Sequence, residues 1–320
     1  MWLFEQRFFM KAEKKRAPRN RTLTLSAAEM HELADGLLRV NAPVSASSVC
    51  NRIICGDMEK VVDFLPDNFV DLLILDPPYN LAKDFNGLKF ASMGNDDYIA
   101  YLDRWLGKLV RVLKKNASVY LCCDWQCSAA CFTVLARYFT VRNRIVWQRE
   151  KGRGARRNWK NSCEDIWFAT VGKDYTFNID AVKQKRRVLA PYRSNGEPKD
   201  WVEEAAGKFR LTCPGNFWDD ISVPYWSMPE NTDHPTQKPE KLLAKLILAS
   251  SDPGDMILDP FAGSGSTAVT AAKLDRQFVG IELNKEYCCW ALARLRRAAD
   301  DKRIQGFEDG IFYERNSKSC

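Results

Sequence analysis

The sequence predicts an α/β fold, a central and mostly parallel sheet with helices on both faces, into which a less regular recognition region is inserted. Three observations carry that prediction. Short apolar runs alternate with amphipathic helical stretches over most of the 320 residues, the texture of a parallel sheet covered on both sides. Several of the runs stop at an acid, as in "DLLILDPPYN" and "DMILDPF". One passes through glycines straight into a helix, "ILDPFAGSGSTAVTAAKL", the strand, turn and helix of a nucleotide-type site.

Each element follows in chain order. "SAAEMHELADGLLRV" has Ser26 and Glu29 at capping-box spacing, so a helix starts there, and residues 1–48 read as an N-terminal extension that packs on the rest. "NRIICGDM" is a strand ending at Gly56-Asp57, and "DLLILDPPYN" is the next. "DYIAYLDRWLGKLVRVLKKN" reads as one amphipathic helix closing at Asn116. "ASVYLCCD" is a strand, Ser128 to Tyr138 a helix and "RNRIVWQ" a strand. After the basic stretch "REKGRGARRNWKN", "SCEDIWFATVG" returns to a strand. Phe177 to Asp233 is irregular, polar and basic with Pro and Trp. Regular texture resumes in the helix "KPEKLLAKLILASS", the glycine turn, the strand "RQFVGIELN" and the helix "KEYCCWALARLRRA". Residues 49–177 and 234–320 are thus two halves of one domain, with 178–233 as the inserted region.

Composition narrows the classes. Hydrophobic content of 46% excludes a disordered chain, and a formal charge of +7 with a pI near 8.8 favours a polyanionic partner. No run of 18 apolar residues is present to span a membrane, and "MWLFEQRFFMKAEKKR" carries its charges on the wrong side for a secretory leader. The 11 cysteines are adjacent pairs or singles and odd in number, which suits a reducing compartment and a cytoplasmic protein. Cys123, Cys127 and Cys131 recur every four residues, as on one helical face. With only His31 and His234 and no C-x-x-C, they read as buried packing cysteines and no metal is expected.

In the glycine turn, Asp259 ends a strand, and Gly263 and Gly265 let backbone approach a ligand. Glu282 follows about twenty residues on, at the end of the next strand, where an acid accepts from both ribose hydroxyls. The pairing points to an adenosine-containing ligand. Neither G-x-G-x-x-G nor G-x-x-x-x-G-K-[ST] is present, which argues against a nicotinamide oxidoreductase. The second site is Asp76-Pro77-Pro78-Tyr79. Two prolines fix φ and stiffen the chain at a strand end where ligands bind. Asp76 and a backbone carbonyl can each accept an N–H from an exocyclic amine, drawing its lone pair out of conjugation. Tyr79 offers a ring face for a heterocycle, about 1–3 kcal/mol per stacked base, which offsets the few kcal/mol of extruding a base from a duplex.

D-P-P-Y, together with D-P-F-A-G-S-G-S-T and H-P-T-Q-K-P, resembles the S-adenosylmethionine-dependent DNA amino-methyltransferases of prokaryotic restriction-modification systems and their orphan relatives. The resemblance runs from about Asn51 to Arg297, and the order of motifs is that of the beta group. It implies a Rossmann-like class I methyltransferase fold with S-adenosylmethionine as cofactor, double-stranded DNA as substrate and no metal. Asp76, Pro77, Pro78 and Tyr79 would form the pocket of a flipped base. Asp259, Phe261, Gly263, Gly265 and Thr267 would line the methionine and ribose side of the cofactor, Glu282 the ribose hydroxyls and Asp57 the adenine. His234, Thr236 and Lys238 would approach the cofactor's amino-acid end, with Lys238 on its carboxylate. Asp in the first position of D-P-P-Y resembles the adenine-N6 members, whereas cytosine-N4 members more often carry Ser. Cytosine-N4 methylation and an inactive nucleic-acid-binding protein on the same fold are the alternatives. Many members of the group dimerise, so a homodimer is a candidate assembly, and a cognate restriction endonuclease a candidate partner in the cell.

The basic stretch supplies Arg149, Lys151, Arg153, Arg156, Arg157 and Lys160 to neutralise phosphates, with Trp159 as a second stacking face or a wedge. Base-edge donors are expected in 178–233, where Arg186, Arg187, Arg193 and Asn195 are candidates.

Overall fold

The computed structural model describes residues 16–85, 87–149, 156–189 and 191–314. In chain order the first half holds α1 (Ala27–Asp35), α2 (Ala46–Val49), β1 (Arg52–Cys55), α3 (Met58–Val61), β2 (Val70–Leu75), β3 (Lys83–Phe85), β4 (Leu88–Phe90), α4 (Asn95–Leu109), β5 (Leu113–Cys123), α5 (Ser128–Tyr138), β6 (Thr140–Gln148) and β7 (Cys163–Thr170). The second half holds β8 (Gln184–Arg187), β9 (Arg193–Ser194), β10 (Glu197–Pro198), β11 (Val202–Glu204), β12 (Gly207–Thr212), β13 (Phe217–Trp218), α6 (Glu240–Ser250), β14 (Met256–Asp259), α7 (Ser266–Lys273), β15 (Gln277–Glu282), α8 (Lys285–Asp300), β16 (Phe307–Glu308) and β17 (Ile311–Tyr313).

Eight strands form the central sheet in the order β1-β15-β14-β2-β5-β7-β6-β13, all parallel except β7. The unbroken apolar run of β2 is explained by burial on both faces. Leu73 and Leu75 pack under α4 and α5 with Leu102, Trp105 and Leu135. Leu72 and Ile74 point the other way, among Leu242, Leu246 and Ala268 of α6 and α7. Ser26 caps α1 through the reciprocal bonds to Glu29, and Leu23 and Leu33 bury against Tyr287 and Trp290 of α8.

Two expectations need correction. The helix does not reach Asn116: α4 stops at Leu109, a 3-10 turn covers Val110–Val112, and Leu113 already pairs with Val70 as part of β5. The amphipathic stripe of Tyr98, Leu102, Trp105 and Leu109 simply ends there, and the buried Val112 and Leu113 are taken over by the sheet. The inserted region is also less irregular than its composition implied. β8, β11 and β12 form a small sheet that is completed by β16 and β17 from the C-terminal end, while β13 returns to the edge of the central sheet beside β6. Strands such as "QKRR" lack apolar alternation because Phe312, Val182 and Ile304 supply the buried cluster under that sheet. Cys123, Cys127 and Cys131 are buried and touch one another, but Cys123 ends β5, Cys127 is the N-cap of α5 and only Cys131 lies within that helix.

Candidate active site

Parallel strands deliver their C-terminal ends to one edge, and the acids that ended the apolar runs meet there. Asp76 follows β2, Asp259 ends β14, Glu282 ends β15, and Asp57 follows β1. Because β7 runs the other way, its first residues come to the same edge, and Glu164 lies across from Trp147.

Asp76 sits in a dense polar cluster. Lys238 Nζ donates to both carboxylate oxygens at 2.7 Å and to Tyr79 Oη at 3.1 Å. The Tyr79 hydroxyl lies 3.0 Å from Asp76 Oδ1 and 3.1 Å from Glu164 Oε2 and donates its one proton between them. Arg149 donates to Glu164 Oε1, and Lys238 stands 3.5 Å from Glu164 Oε2. Burial disfavours the Lys238 ammonium, but Asp76 and then Glu164 outweigh it, so its pKa is raised and it stays charged. Burial, reinforced by the same two carboxylates, pushes the Tyr79 phenol far up, so it remains a donor. Tyr98 Oη donates to the Pro78 carbonyl at 3.1 Å and pins the Pro-Pro segment from α4.

The glycine turn is built for close approach. Gly265 has φ +79° and lies against α8, where an added Cβ would come 2.5 Å from Ala291 Cβ. Gly263, at φ +51°, lies under the His234 ring, with its would-be Cβ 2.9 Å from Nε2. Asp259 accepts from Thr267 Oγ1 at 2.5 Å and from the Phe261 amide at 3.0 Å, which fixes the turn. Burial lifts the Asp259 carboxyl to about 7, although the Thr267 and Phe261 donors pull it down. Glu282 accepts from the Gly263 amide at 2.8 Å and the Asn284 amide at 2.7 Å, one on each oxygen. Burial raises it to about 7 as well. One lone-pair direction per oxygen is left over, so a pair of vicinal hydroxyls fits there. The turn therefore fits an adenosine-type cofactor on its own geometry. Burial pushes His234 down to about 4, so it is neutral at working pH.

A narrow cavity of about 30 Å³ runs between the two sites, lined by Asp76 and Lys238 at one end and by Gly263, Ser264, Ser266 and Thr267 at the other. Beside it opens a cleft of about 270 Å³, walled by Trp147, Arg149, Glu164 and the segment Asn231 to Lys238. The family model described as DNA methylase matches residues 70–293, the span that contains both sites. The chain belongs to the DNA methylase family. It is an S-adenosylmethionine-dependent DNA methyltransferase. It is similar to DNA adenine methyltransferase YhdJ of Escherichia coli, 37% identical over 260 residues that cover 79% of this chain and 85% of the relative. Type II methyltransferase M.HpaI of Haemophilus parainfluenzae is 33% identical over 262 residues, 80% of this chain and 76% of that one. Among solved structures the PvuII cytosine-N4-specific DNA methyltransferase shares the fold at 15% identity and a TM-score of 0.56, covering 82% of this chain and 92% of that one. The M1.HpyAVI–SAM complex shares it at 23% identity and a TM-score of 0.52, covering 76% and 98%.

Within this DNA methylase the remaining candidates separate. Lys238 differs from its expected place on the cofactor carboxylate: all three of its N–H groups are directed at Asp76 and Tyr79. Thr236 lines the cleft, and its amide lies 3.4 Å from His234 Nδ1. Phe261 packs edge-on to Trp105 at 5.0 Å. Asp57 caps α3 through the Glu59 amide and stays partly open to solvent. Arg156, Arg157, Trp159 and Lys160 are exposed, Trp159 at 93%, whereas Lys151 and Arg153 lie outside the described residues. Arg186 is engaged by Glu314, Arg193 folds back onto the Gly196 carbonyl and Trp201, and Arg187 is exposed. Asn195 occupies the left-handed turn between β9 and β10.

Two residues escaped sequence reasoning, Glu164 and Arg294, and a third, Arg149, takes a different place from the one expected. Glu164 was hidden in a strand whose reversed direction nothing in the sequence announces, though an acid opening a buried strand was a signal. Arg149 was read as a phosphate contact but is turned inward onto Glu164. Arg294 of α8 is buried beneath the glycine turn, donating to the Ser264 carbonyl and Ser266 Oγ at 2.9 Å each and to Glu240 at 2.9 Å.

Proposed function

We propose that the protein methylates the N6 amine of an adenine flipped out of duplex DNA at a specific site. The observation that supports this reading is the narrow cavity lined by both Asp76 and the glycine turn, a carboxylate acceptor for an amine at one end and the turn to which we assign the methyl donor at the other. S-adenosylmethionine, when bound, supplies a methyl group on a sulfonium. The residues do the positioning. Asp76 accepts one N–H of the amine and a backbone carbonyl accepts the other, and since the Pro78 carbonyl is already used by Tyr98, we assign the second acceptor to Pro77. Two such bonds pull the nitrogen lone pair out of the ring's conjugation and aim it at the methyl. Once the nitrogen has its new bond, it loses a proton to Asp76 or water. Gly263, Gly265, Glu282 and His234 hold the cofactor, with Asp57 on the adenine side. The Asp that opens D-P-P-Y, and the adenine named for YhdJ, support adenine over cytosine.

Phosphate contacts fall to Arg156, Arg157 and Lys160, with Trp159 as stacking face or wedge. Arg19 and Arg21 on the N-terminal arm are exposed and join them, because the arm is bonded to the cleft wall: Leu23 N donates to Asn231 O at 2.8 Å, and Arg16 pairs with Asp233 at 2.8 Å. Target reading belongs to 178–233 together with the strands β16 and β17 that complete its sheet. The unpaired cysteines among the described residues support a cytoplasmic enzyme. The type II names among the relatives support a cognate endonuclease, and sedimentation velocity tests the homodimer.

Methyl transfer from labelled S-adenosylmethionine to unmethylated genomic DNA, followed by nucleoside mass spectrometry, decides the reading. We expect N6-methyladenine, with Asp76→Ala slower by roughly 10²–10³ as for loss of a preorganised polar group. N4-methylcytosine would refute the base assignment, and a fully active Asp76→Ala the role of the acid.

A further inference from the structure

Asp76 has two tasks that conflict. As the acceptor for the target amine, a role taken from the function proposed above, it must offer a lone pair of good basicity. Yet about four lone-pair directions are all a carboxylate has, and three are occupied: Oδ1 receives Lys238 and Tyr79, and Oδ2 receives Lys238. The remaining direction shares Oδ2 with an ammonium that withdraws density from it. Simply removing the cation would leave Asp76 in a half-buried site with its charge uncompensated, which burial penalises.

The cluster contains a second seat for the cation. Glu164 Oε2 lies 3.5 Å from Lys238 Nζ, so a shift of under about 1 Å brings the ammonium to charge-assisted bonding distance. Glu164 is itself 4% exposed at its side chain and clamped at its other oxygen by Arg149, so the seat does not move. The two carboxylates are matched by Lys238 and Arg149 whichever acid holds Lys238, with Lys83 within electrostatic range of all four, and Tyr79 Oη touches all three partners of the exchange at 3.0–3.1 Å.

We propose that Glu164 is a positioning residue that takes up the Lys238 ammonium when the target amine docks on Asp76. Lys238 gives one Asp76 oxygen to the amine, its freed N–H moves to Glu164 Oε2, and the cation stays within the cluster. No covalent bond changes in the exchange.

The test is a double-mutant cycle in single-turnover methyl transfer with Glu164→Gln, Lys238→Met and the double variant. The product nucleoside of the wild type is identified first, and the cycle is run on whichever base carries the methyl group. An unexpected base therefore refutes only the adenine reading. We expect Glu164→Gln to slow the transfer step by roughly ten-fold or more with DNA and cofactor dissociation constants within two-fold of wild type. In the Lys238→Met background the same change should cost clearly less, since only Arg149 still uses the carboxylate. Glu164→Asp, which keeps the charge at a greater distance, should fall between Gln and wild type, and it replaces Gln in the cycle if Gln does not fold. A wild-type transfer rate for Glu164→Gln, an equal loss in both backgrounds, or a loss confined to KM would each overturn the proposal.

Discussion

With the ribose assigned to Glu282 as proposed above, cofactor binding becomes a proton-linked event. The Glu282 carboxyl stands at about 7 against an ordinary 4.5, because burial outweighs the amide donors of Asn284 and Gly263. In the protein without cofactor, the folded state holds a proton through the window between those values, where the unfolded chain has released it. This stabilisation is present below pH 4.5 and lost as pH rises through 7. Ribose hydroxyls reverse the preference, since they are donors and favour the ionised carboxylate. For a ligand that binds only the ionised form, the dissociation constant scales as one plus the ratio of protonated to ionised acid. It is therefore weaker by about 11-fold at pH 6 and about 1.1-fold at pH 8, a span of roughly ten-fold. His234, at about 4, stays neutral over this range. Asp259 also stands at about 7 and, like Glu282, accepts one donor on each oxygen, from Thr267 and Phe261, so the Glu282→Gln variant is what assigns the pH dependence to Glu282. The assay is isothermal titration with S-adenosylhomocysteine between pH 6 and 8 in two buffers of different ionisation enthalpy. It should show proton release on binding near pH 6.5. Glu282→Gln should bind more weakly and lose most of the pH dependence. An affinity flat in pH for the wild type, or a pH dependence unchanged in Glu282→Gln, would refute the assignment of the ribose to this carboxylate.

Further outcomes follow from the same geometry. Gly265→Ala combines left-handed strain with a Cβ 2.5 Å from Ala291, for about 2–5 kcal/mol of lost stability, and thermal unfolding checks it. Arg294→Met removes the buried donor shared by the Ser264 carbonyl, Ser266 and Glu240, while Lys273 still holds Glu240 Oε2 at 2.7 Å. A cost of roughly 1–3 kcal/mol is expected for the buried groups left unpaired, again read as a fall in Tm. Replacing Arg156, Arg157 and Lys160 together by Ala should flatten the plot of log affinity against log salt by up to about 2.7, at about 0.9 per phosphate contact. Arg19→Glu with Arg21→Glu should weaken DNA binding at low salt without changing which nucleoside is methylated. Filter binding and nucleoside analysis report these two outcomes.

What the sequence revealed and what it hid divide along a physical line. The strands of the parallel core were legible because burial on both faces leaves unbroken apolar runs, and the acids at their ends stood out against them. The glycine turn was legible because φ values of +51° and +79° leave few alternatives to glycine. The reversed direction of β7 was not, since an apolar strand reads alike in either sense, and with it went Glu164. Strands β8, β11 and β12 of the smaller sheet were hidden for the opposite reason: three to six residues long and rich in charge, they belong to a sheet that packs on a cluster whose Ile304 and Phe312 come from the far end of the chain. Lys238, expected at the cofactor carboxylate, faces Asp76 and Tyr79, because the sequence cannot tell which of several nearby acids a lysine will face.

The chain order of the motifs is immaterial to the site for a reason the sheet makes plain. Along the sequence the edge residues run Asp57, Asp76, Asp259, Glu282, yet across the sheet they run Asp57, Glu282, Asp259, Asp76, because β14 and β15 from the C-terminal half insert between β1 and β2. Parallel strands present all their C-terminal ends on one side, and neighbouring strands are about 4.8 Å apart. Asp76 and Asp259 therefore stand at the ends of neighbouring strands, offset by two residues along them because Leu258 pairs with Leu73, although 183 residues separate them in the chain (259 − 76). A fold of this kind can place its methyl-donor turn before or after its catalytic turn in the chain without moving either in space. What it cannot change is the strand adjacency. A substitution that broke the pairing of β14 with β2 at Ile257–Leu72 and Leu258–Leu73 would separate donor from acceptor even with every catalytic residue intact.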